Sequence, residues 1–542
     1  MFSNDFKRCF LHVPDSKFCF AESSDTVVLR VRVNRGCNVE KMSVVYGCKY
    51  DYNKERQETP LKKIFTDDLY DWYSATLKVS DVRLVYVFKI QFEGKTCFYS
   101  EDGITDDYNF VLNYLNAFQL PYVNSIDVPK IADWYRSAVF YEIFPERFKN
   151  GAGTKKPYIT MKWDEKPSWN SYAGGDLIGI TKSMDYIKNL GINAIYLTPV
   201  FESPTNHKYE IIDYYSIDSQ LGTNADFREL VEVAHSRGIR VVLDAVFNHC
   251  GVDFRLFKDV CEKGTKSDYY DWFIVKGEKP DIKKVNYETF AHSAGMPKLN
   301  LSNSDTQEYF LRVSEHWIRE YDIDGWRLDV ADEVAHDFWR AFRKRVKALK
   351  ADAVIIGENW HDSYPFLRGE QFDGIMNYSF TKACMDYFIY DRLDATGLAE
   401  RLSGLLMRNT TQANAMMLNL LDSHDTHRFF TLAKENAKTV QAALALTFLF
   451  VGAPCVYYGT EVDMIGEHDP DNRRGMDWTK TETRQETTEV IKKLALLRQK
   501  DIIKYGDISL YAEEDIFVLE RNYQQHQILL KITKESFEIA EK

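Results

Sequence analysis

The sequence predicts an α/β protein built on a parallel (β/α)8 barrel, the TIM barrel, with a β-sandwich in front of it. Three observations predict this. Between Val139 and Gly459, eight short apolar runs alternate with helix-length amphipathic stretches. Several of these runs end in acids, Arg, His and Asn, as barrel strands do where they open into a catalytic mouth. Residues 1–120, in contrast, hold only strand-like runs at short spacing, separated by turn residues.

The N-terminal β-sandwich is assigned to residues 1–120. Val27–Val33 alternates at its end, and Met42–Tyr46, Trp72–Val79, Leu84–Phe92 and Thr96–Tyr99 follow. A link containing Pro121 and Pro129 leads into the barrel domain, residues 121–499. Its strands are read at Val139–Phe144, Ala194–Pro199, Arg240–Val246, Gly325–Val330, Val354–Glu358, Gly374–Tyr378, Met416–Asp422 and Pro454–Gly459. Helical periodicity lies between them, as at Asp226–Ser236, Gln307–Glu320 and Asp337–Leu349. The gap from Val246 to Gly325 is too long for one helix, which predicts a small inserted subdomain after strand 3, about 250–297. Residues 500–542 read as a short, truncated-looking C-terminal β module, with runs at Ile508–Tyr511, Ile516–Glu520 and Gln527–Ile532.

Composition narrows the class. The chain has 542 residues, more than one ordinary domain holds, and 45% are hydrophobic, enough for a large core. Net charge is −12 with no long basic run, which argues against nucleic acid and anionic membranes as partners. The longest apolar run, Ala442–Tyr458, is broken by Gly452 and Pro454. It reads as a buried helix followed by a strand, not a membrane span. Met1–Pro14 has no apolar export signal, and the nine Cys form no CxxC pair. Free thiols in a cytoplasmic protein are expected.

The chemistry sits at the strand ends. In Gly325–Val330, Arg327 and Asp329 share one face of a strand, and an adjacent arginine is expected to hold Asp329 ionised, as a nucleophile requires. Strand 3 ends in Asp244 and Asn248-His249, strand 5 in Glu358-Asn359-Trp360, and strand 7 in Asp422-Ser-His424-Asp425. Burying so many ionisable groups costs several kcal/mol per unpaired ion, so packing alone does not explain them. Two carboxylates flanking a bond suit glycoside hydrolysis, one ionised and one carrying a proton. Asp329 is the natural anion, Glu358 the natural proton donor, and Asp425 a third carboxylate for the charged transition state.

At these positions the chain resembles the α-amylase superfamily, glycoside hydrolase family thirteen. The resemblance rests on Asp244–His249, Gly325–Asp329, Gly357–Trp360 and His424–Asp425. Met296–Asn300 looks like the extra motif of the neopullulanase, cyclomaltodextrinase and maltogenic amylase branch. Ile143–Phe148, Asn206–Tyr209 and Asp469–Arg474 are similar to other stretches of that branch.

The resemblance implies a retaining hydrolase of α-1,4-glucosidic bonds in cyclodextrins, pullulan, starch and malto-oligosaccharides. Asp329 would be nucleophile, Glu358 acid and base, and Asp425 transition-state stabiliser. Arg327, His249, His424, Tyr209 and His207 would surround the reacting sugar, with Asp469 and Arg473 further along the donor side. Asn248 is read as a sugar ligand or as scaffold, Trp360 as core or as an acceptor wall. The branch also implies a homodimer through the N-terminal module.

Competing readings are a transglycosylase or α-1,6-glucosidase on the same barrel, and a glycan-binding protein without catalysis. The full set Asp329, Glu358 and Asp425 opposes the last. Three departures stand out. The family's calcium loop, here 150–156, has Ala and Lys in place of acidic ligands, so no metal or other cofactor is expected. Asp332 and Asn359 replace the commoner Asn and Ile, and the C-terminal module is short.

Overall fold

A computed structural model describes residues 2–112, 115–153 and 156–542. Eight parallel strands form one sheet: β1 (Phe140–Ile143), β2 (Ala194–Leu197), β3 (Arg240–Ala245), β4 (Gly325–Leu328), β5 (Val354–Gly357), β6 (Gly374–Ile375), β7 (Leu418–Leu420) and β8 (Ala453–Tyr457). Their order is β6-β5-β4-β3-β2-β1-β8-β7. A parallel bridge from Met376 to Leu418 closes the seam, and the Asn377 N–H donates to the Leu418 carbonyl at 2.8 Å. The TIM barrel is therefore present, one strand to each apolar run. Arg240 apart, every residue of these strands is buried. Parallel strands covered on both faces need continuous apolar runs, and that is what the sequence holds.

The barrel interior is filled by Phe140, Tyr196, Val242, Ile356, Leu418 and Cys455. Helices pack outside it. Asn224–Ser236 opens with a capping box between Thr223 and Asp226, and Ser304–Tyr321 is capped by the Asn303 side chain. Ala437–Leu449 is a buried helix running into β8, as the long apolar run predicts. Among the described residues no helix is long and apolar enough to cross a membrane. All nine cysteines are free.

The N-terminal module is two antiparallel sheets enclosing Val27, Leu29, Val31, Val44, Tyr86 and Phe88. Six strands of this module escape the sequence pattern. Two of them, Gln57–Pro60 and Lys62–Thr66, lie at sheet edges and are mostly exposed, so no apolar face marks them. The module is fastened to the barrel: Arg30 Nη1 donates to the Asn409 carbonyl at 2.8 Å, and Gln412 Nε2 to that of Ala21 at 2.7 Å. After β3, the chain between bridges at His249–Lys298 and Thr289–Pro297 forms a small lobe with the helix Arg255–Lys263. The C-terminal module is a four-stranded antiparallel meander, of which Phe537–Glu541 is the strand the sequence pattern missed.

Candidate active site

Three carboxylates and one guanidinium meet at the C-terminal mouth of the barrel. Asp244 and Arg327 are register partners across β3 and β4, so their side chains share one side of the sheet. Arg327 Nη1 donates to both Asp244 oxygens (3.0 and 2.9 Å) and to Asp329 Oδ1 (2.9 Å). Its Nη2 lies 2.9 Å from Glu358 Oε2. Asp329, Glu358 and Arg327 are all buried. Glu358 also accepts the Val330 N–H at 3.0 Å and the Trp360 indole N–H at 3.2 Å. Val330 has φ 46°, a left-handed conformation that strains a β-branched residue, and in it the Val330 N–H donates to the Glu358 carboxylate.

The electrostatics differ from the sequence expectation at one point. Burial pushes the Asp329 carboxyl well up from its ordinary range. Arg327 opposes this, but Glu358, Asp244 and Asp425 push the same way as burial. Arg327 is shared among three carboxylates and so does not by itself hold Asp329 low. Burial also raises Glu358, against Arg327 and with Asp425. The cluster thus favours retaining protons, which acid catalysis needs.

Asp425 stands apart. Burial pushes it up, but His424 and Arg473 outweigh that and hold it below the usual carboxylate range. His424 Nε2 lies 3.0 Å and Arg473 Nη2 3.2 Å from its oxygens. Arg473 Nη1 pairs with Asp469 at 2.9 Å, so the donor-side pair predicted from sequence joins the central cluster. His424 Nδ1 lies 2.6 Å from Glu142 Oε1, and Tyr209 Oη lies 2.6 Å from His424 Nε2. Burial lowers His424, yet Asp425 and Glu142 together raise it, favouring imidazolium between two carboxylates.

Glu142 is the residue that sequence reasoning missed. It lies inside β1, among residues that read as a buried strand, and its partner is 282 positions away. The detectable signal was an acid at the centre of an apolar run. Tyr196 was missed likewise; its hydroxyl donates to Asp244 Oδ2 at 2.5 Å. With Tyr196, Tyr209 and Arg327 all on Asp244, that carboxylate is scaffold.

The remaining predicted residues divide. His207 stacks beside Tyr209 at 5.9 Å, and burial lowers its pKa to about 3. Burial likewise lowers His249 to about 3. The His249 ring packs on Phe290 at 4.9 Å. Asn248 turns to Lys298 and to the His249 ring, a scaffold arrangement. Trp360 is not core: it is half exposed, stacked on Tyr378 at 3.7 Å, and forms a wall beside Glu358.

The loop at 150–156 carries a side-chain ammonium among its oxygens; its Thr154 and Lys155 lie outside the described residues. Lys156 Nζ sits on Asp176 Oδ2 (2.8 Å) and on the carbonyls of Gly174 (3.2 Å) and Gln220 (3.3 Å). The Asp176 carboxylate also accepts the N–H groups of Gly151 and Ala152. An ammonium already fills this oxygen cage. Among the described residues, no group of three or more His, Cys, Asp or Glu is placed to hold a metal.

A barrel mouth with Arg-linked carboxylates, an imidazolium and flanking aromatic rings defines a glycoside hydrolase site. The chain belongs to the alpha-amylase family. Residues 142–504 match the alpha amylase catalytic domain, and residues 6–124 match the alpha amylase N-terminal ig-like domain. It is 40% identical over 536 residues to the cyclomaltodextrinase of Thermoanaerobacter pseudethanolicus, covering 98% of this chain and 93% of that protein. To the intracellular maltogenic amylase of Bacillus subtilis it is 40% identical over 495 residues, 90% of this chain and 84% of that one. A solved cyclomaltodextrinase structure superposes with a TM-score of 0.93 at 38% identity, covering 97% of this chain and 91% of that chain. The protein is therefore an enzyme, a glycosidase of the cyclomaltodextrinase, maltogenic amylase and neopullulanase type.

Proposed function

We propose that the enzyme hydrolyses α-1,4-glucosidic bonds in cyclodextrins, pullulan, starch and malto-oligosaccharides, with retention of anomeric configuration. The observation that carries this reading is the single Arg327 guanidinium lying 2.9 Å from both Asp329 and Glu358. It holds the two carboxyls as near neighbours, as a retaining mechanism requires; about 5–5.5 Å is usual. Glu358 carries the proton that the cluster retains and donates it to the glycosidic oxygen, while Asp329, reacting as the ionised carboxylate, attacks the anomeric carbon. The bond to the leaving sugar breaks and a β-glucosyl ester forms. Glu358 then takes a proton from water, which attacks the same carbon and releases Asp329.

Asp425 remains anionic beside His424 and Arg473 and faces the positive charge of the transition state. Tyr209 and His207 supply ring faces to the reacting sugar. Arg327, His249 and His424 hydrogen-bond it, Asp469 and Arg473 meet the donor chain, and Trp360 lines the acceptor side. The reaction uses no calcium at the 150–156 loop, a reading supported by the ammonium of Lys156 in the cage.

The enzyme acts in the cytoplasm as a homodimer built through the N-terminal module. Exposed Val111, Leu112 and Leu115 at the end of that module, and Ile126 in the link that follows it, supply apolar surface for a partner copy. The test is a product assay on β-cyclodextrin, pullulan and soluble starch, with the anomer of the first-formed sugar read by NMR. Faster turnover of cyclodextrin than starch, releasing the α-anomer, is expected. Release of the β-anomer overturns the retaining mechanism, and a monomer in light scattering overturns the dimer.

A further inference from the structure

Trp169 is, with Trp360, one of two largely exposed tryptophans among the described residues, at 63% exposure. Nothing in the chemistry above uses it. Its setting is rigid. Trp169 and Asn170 form the corner of a turn closed by Ser171 N–H to the Ser168 carbonyl at 3.1 Å. Ser171 Oγ tightens the turn twice, accepting the Ser168 N–H at 2.9 Å and donating to its carbonyl at 2.8 Å. The Trp169 carbonyl accepts Asn206 Nδ2 at 2.8 Å, and the same amide reaches the Ser171 carbonyl at 2.9 Å.

This frame belongs to the donor side of the site. Asn206 immediately precedes His207 in the loop that carries Tyr209. The Ser171 carbonyl also accepts Arg147 Nη2 at 2.6 Å, while Arg147 Nη1 donates to the Arg473 carbonyl at 2.9 Å. Lys166, on the same loop as Trp169, lies 3.5 Å from Asp471 in the segment that presents Asp469 and Arg473. The turn therefore bridges the two loops that form the outer donor wall. These hydrogen bonds fix the backbone that carries the exposed indole, so part of the conformational freedom that binding would otherwise remove is already lost.

We propose that Trp169 is a stacking platform for a glucose ring of the substrate chain, on the donor side beyond the residues around Asp469 and Arg473. The indole offers a flat apolar face to the C–H face of a pyranose. The site recognises an α-glucan long enough to reach from Asp329 out to the turn, and it selects by chain length rather than by linkage. It rests on the reading of the central cluster as a glucan-cleaving site.

The experiment compares wild type with Trp169→Ala and Trp169→Phe on two substrates: maltotriose and a maltoheptaose of defined length. Trp169→Ala should raise KM for maltoheptaose about tenfold with kcat within twofold. Kinetics on maltotriose should not change, and Trp169→Phe should restore most of the loss. Quenching of tryptophan fluorescence by maltoheptaose should shrink in Trp169→Ala. An unchanged KM for maltoheptaose overturns the platform while leaving the glucanase reading intact. Equal losses on both substrates also overturn it, because they mean a distorted donor wall. A fall to monomer mass in light scattering assigns the indole to a subunit contact instead. No cleavage of either substrate by wild type removes the function on which the proposal rests.

Discussion

Lowering the pH from 7 to 5 should cost the fold stability through histidines buried in their neutral form, among them His12 and His249. His12 lies in the N-terminal module, 5% exposed, with Nδ1 2.7 Å from the Arg30 carbonyl and Nε2 2.8 Å from the Tyr86 hydroxyl. Burial lowers its pKa to about 4, against the Arg30 carbonyl, and lowers that of His249 to about 3. An unfolded histidine titrates near 6.5. Both folded values are depressed, so the stability they contribute is present above about pH 6.5 and is lost as pH falls, until each folded pKa is reached. At pH 5 the unfolded chain binds a proton at each site that the fold refuses, at a cost of about 2 kcal/mol per site and about 4 kcal/mol together. Asp422 works the other way. Burial, opposed by Arg428, raises it to about 6, and it returns about 1 kcal/mol over the same interval. Urea unfolding of wild type and His12→Gln at pH 7 and pH 5 separates these contributions. The variant, whatever its stability at pH 7, should lose about 2 kcal/mol less than wild type between the two pH values. Parallel losses in both proteins would refute the claim that His12 stays neutral, and should His12→Gln not fold, hydrogen–deuterium exchange at the His12 ring carbon in wild type reads the same pKa.

Three further outcomes follow from named contacts. Asp329→Asn and Glu358→Gln should each lower kcat on cyclodextrin by more than about a thousandfold with unchanged circular dichroism; retained activity in either removes that residue from the chemistry. Glu142→Gln, which keeps shape but weakens the hold on His424 Nδ1, should cost about 1.5 kcal/mol in kcat/KM, roughly tenfold, and a wild-type value would show that Glu142 is only packing. Arg521→Leu removes the donor from the buried carbonyls of Leu449 and Ile503 and the part-buried carbonyl of Gly506, and should destabilise by about 3 kcal/mol in thermal or urea unfolding.

The barrel was readable in the sequence because its strands are covered on both faces and must be apolar throughout. The acids Asp329, Glu358 and Asp425 were readable because they interrupt or follow such runs, and the structure brings all three toward Arg327 or His424. Glu142 also interrupts its apolar run, but its role was not readable, since that lies in a partner on the strand-7 loop that only ring closure brings near. The upward push on the Asp329 carboxyl was not readable for a related reason. Arg327 is its nearest neighbour in sequence, but Asp244 and Glu358 claim the same guanidinium in space. Edge strands such as Gln57–Pro60 left no pattern because half of their hydrogen bonds and most of their side chains face water.

The cage around Asp176 has a consequence for how the enzyme meets a changing environment. A diffusible ion at such a place would come and go with its concentration outside, and the loop's order would track supply. The Lys156 ammonium is tethered by its own backbone, so its local concentration is fixed by the length of a side chain and does not fall on dilution. The counter-charge at this corner of the barrel is inherited with the sequence rather than gathered from solution.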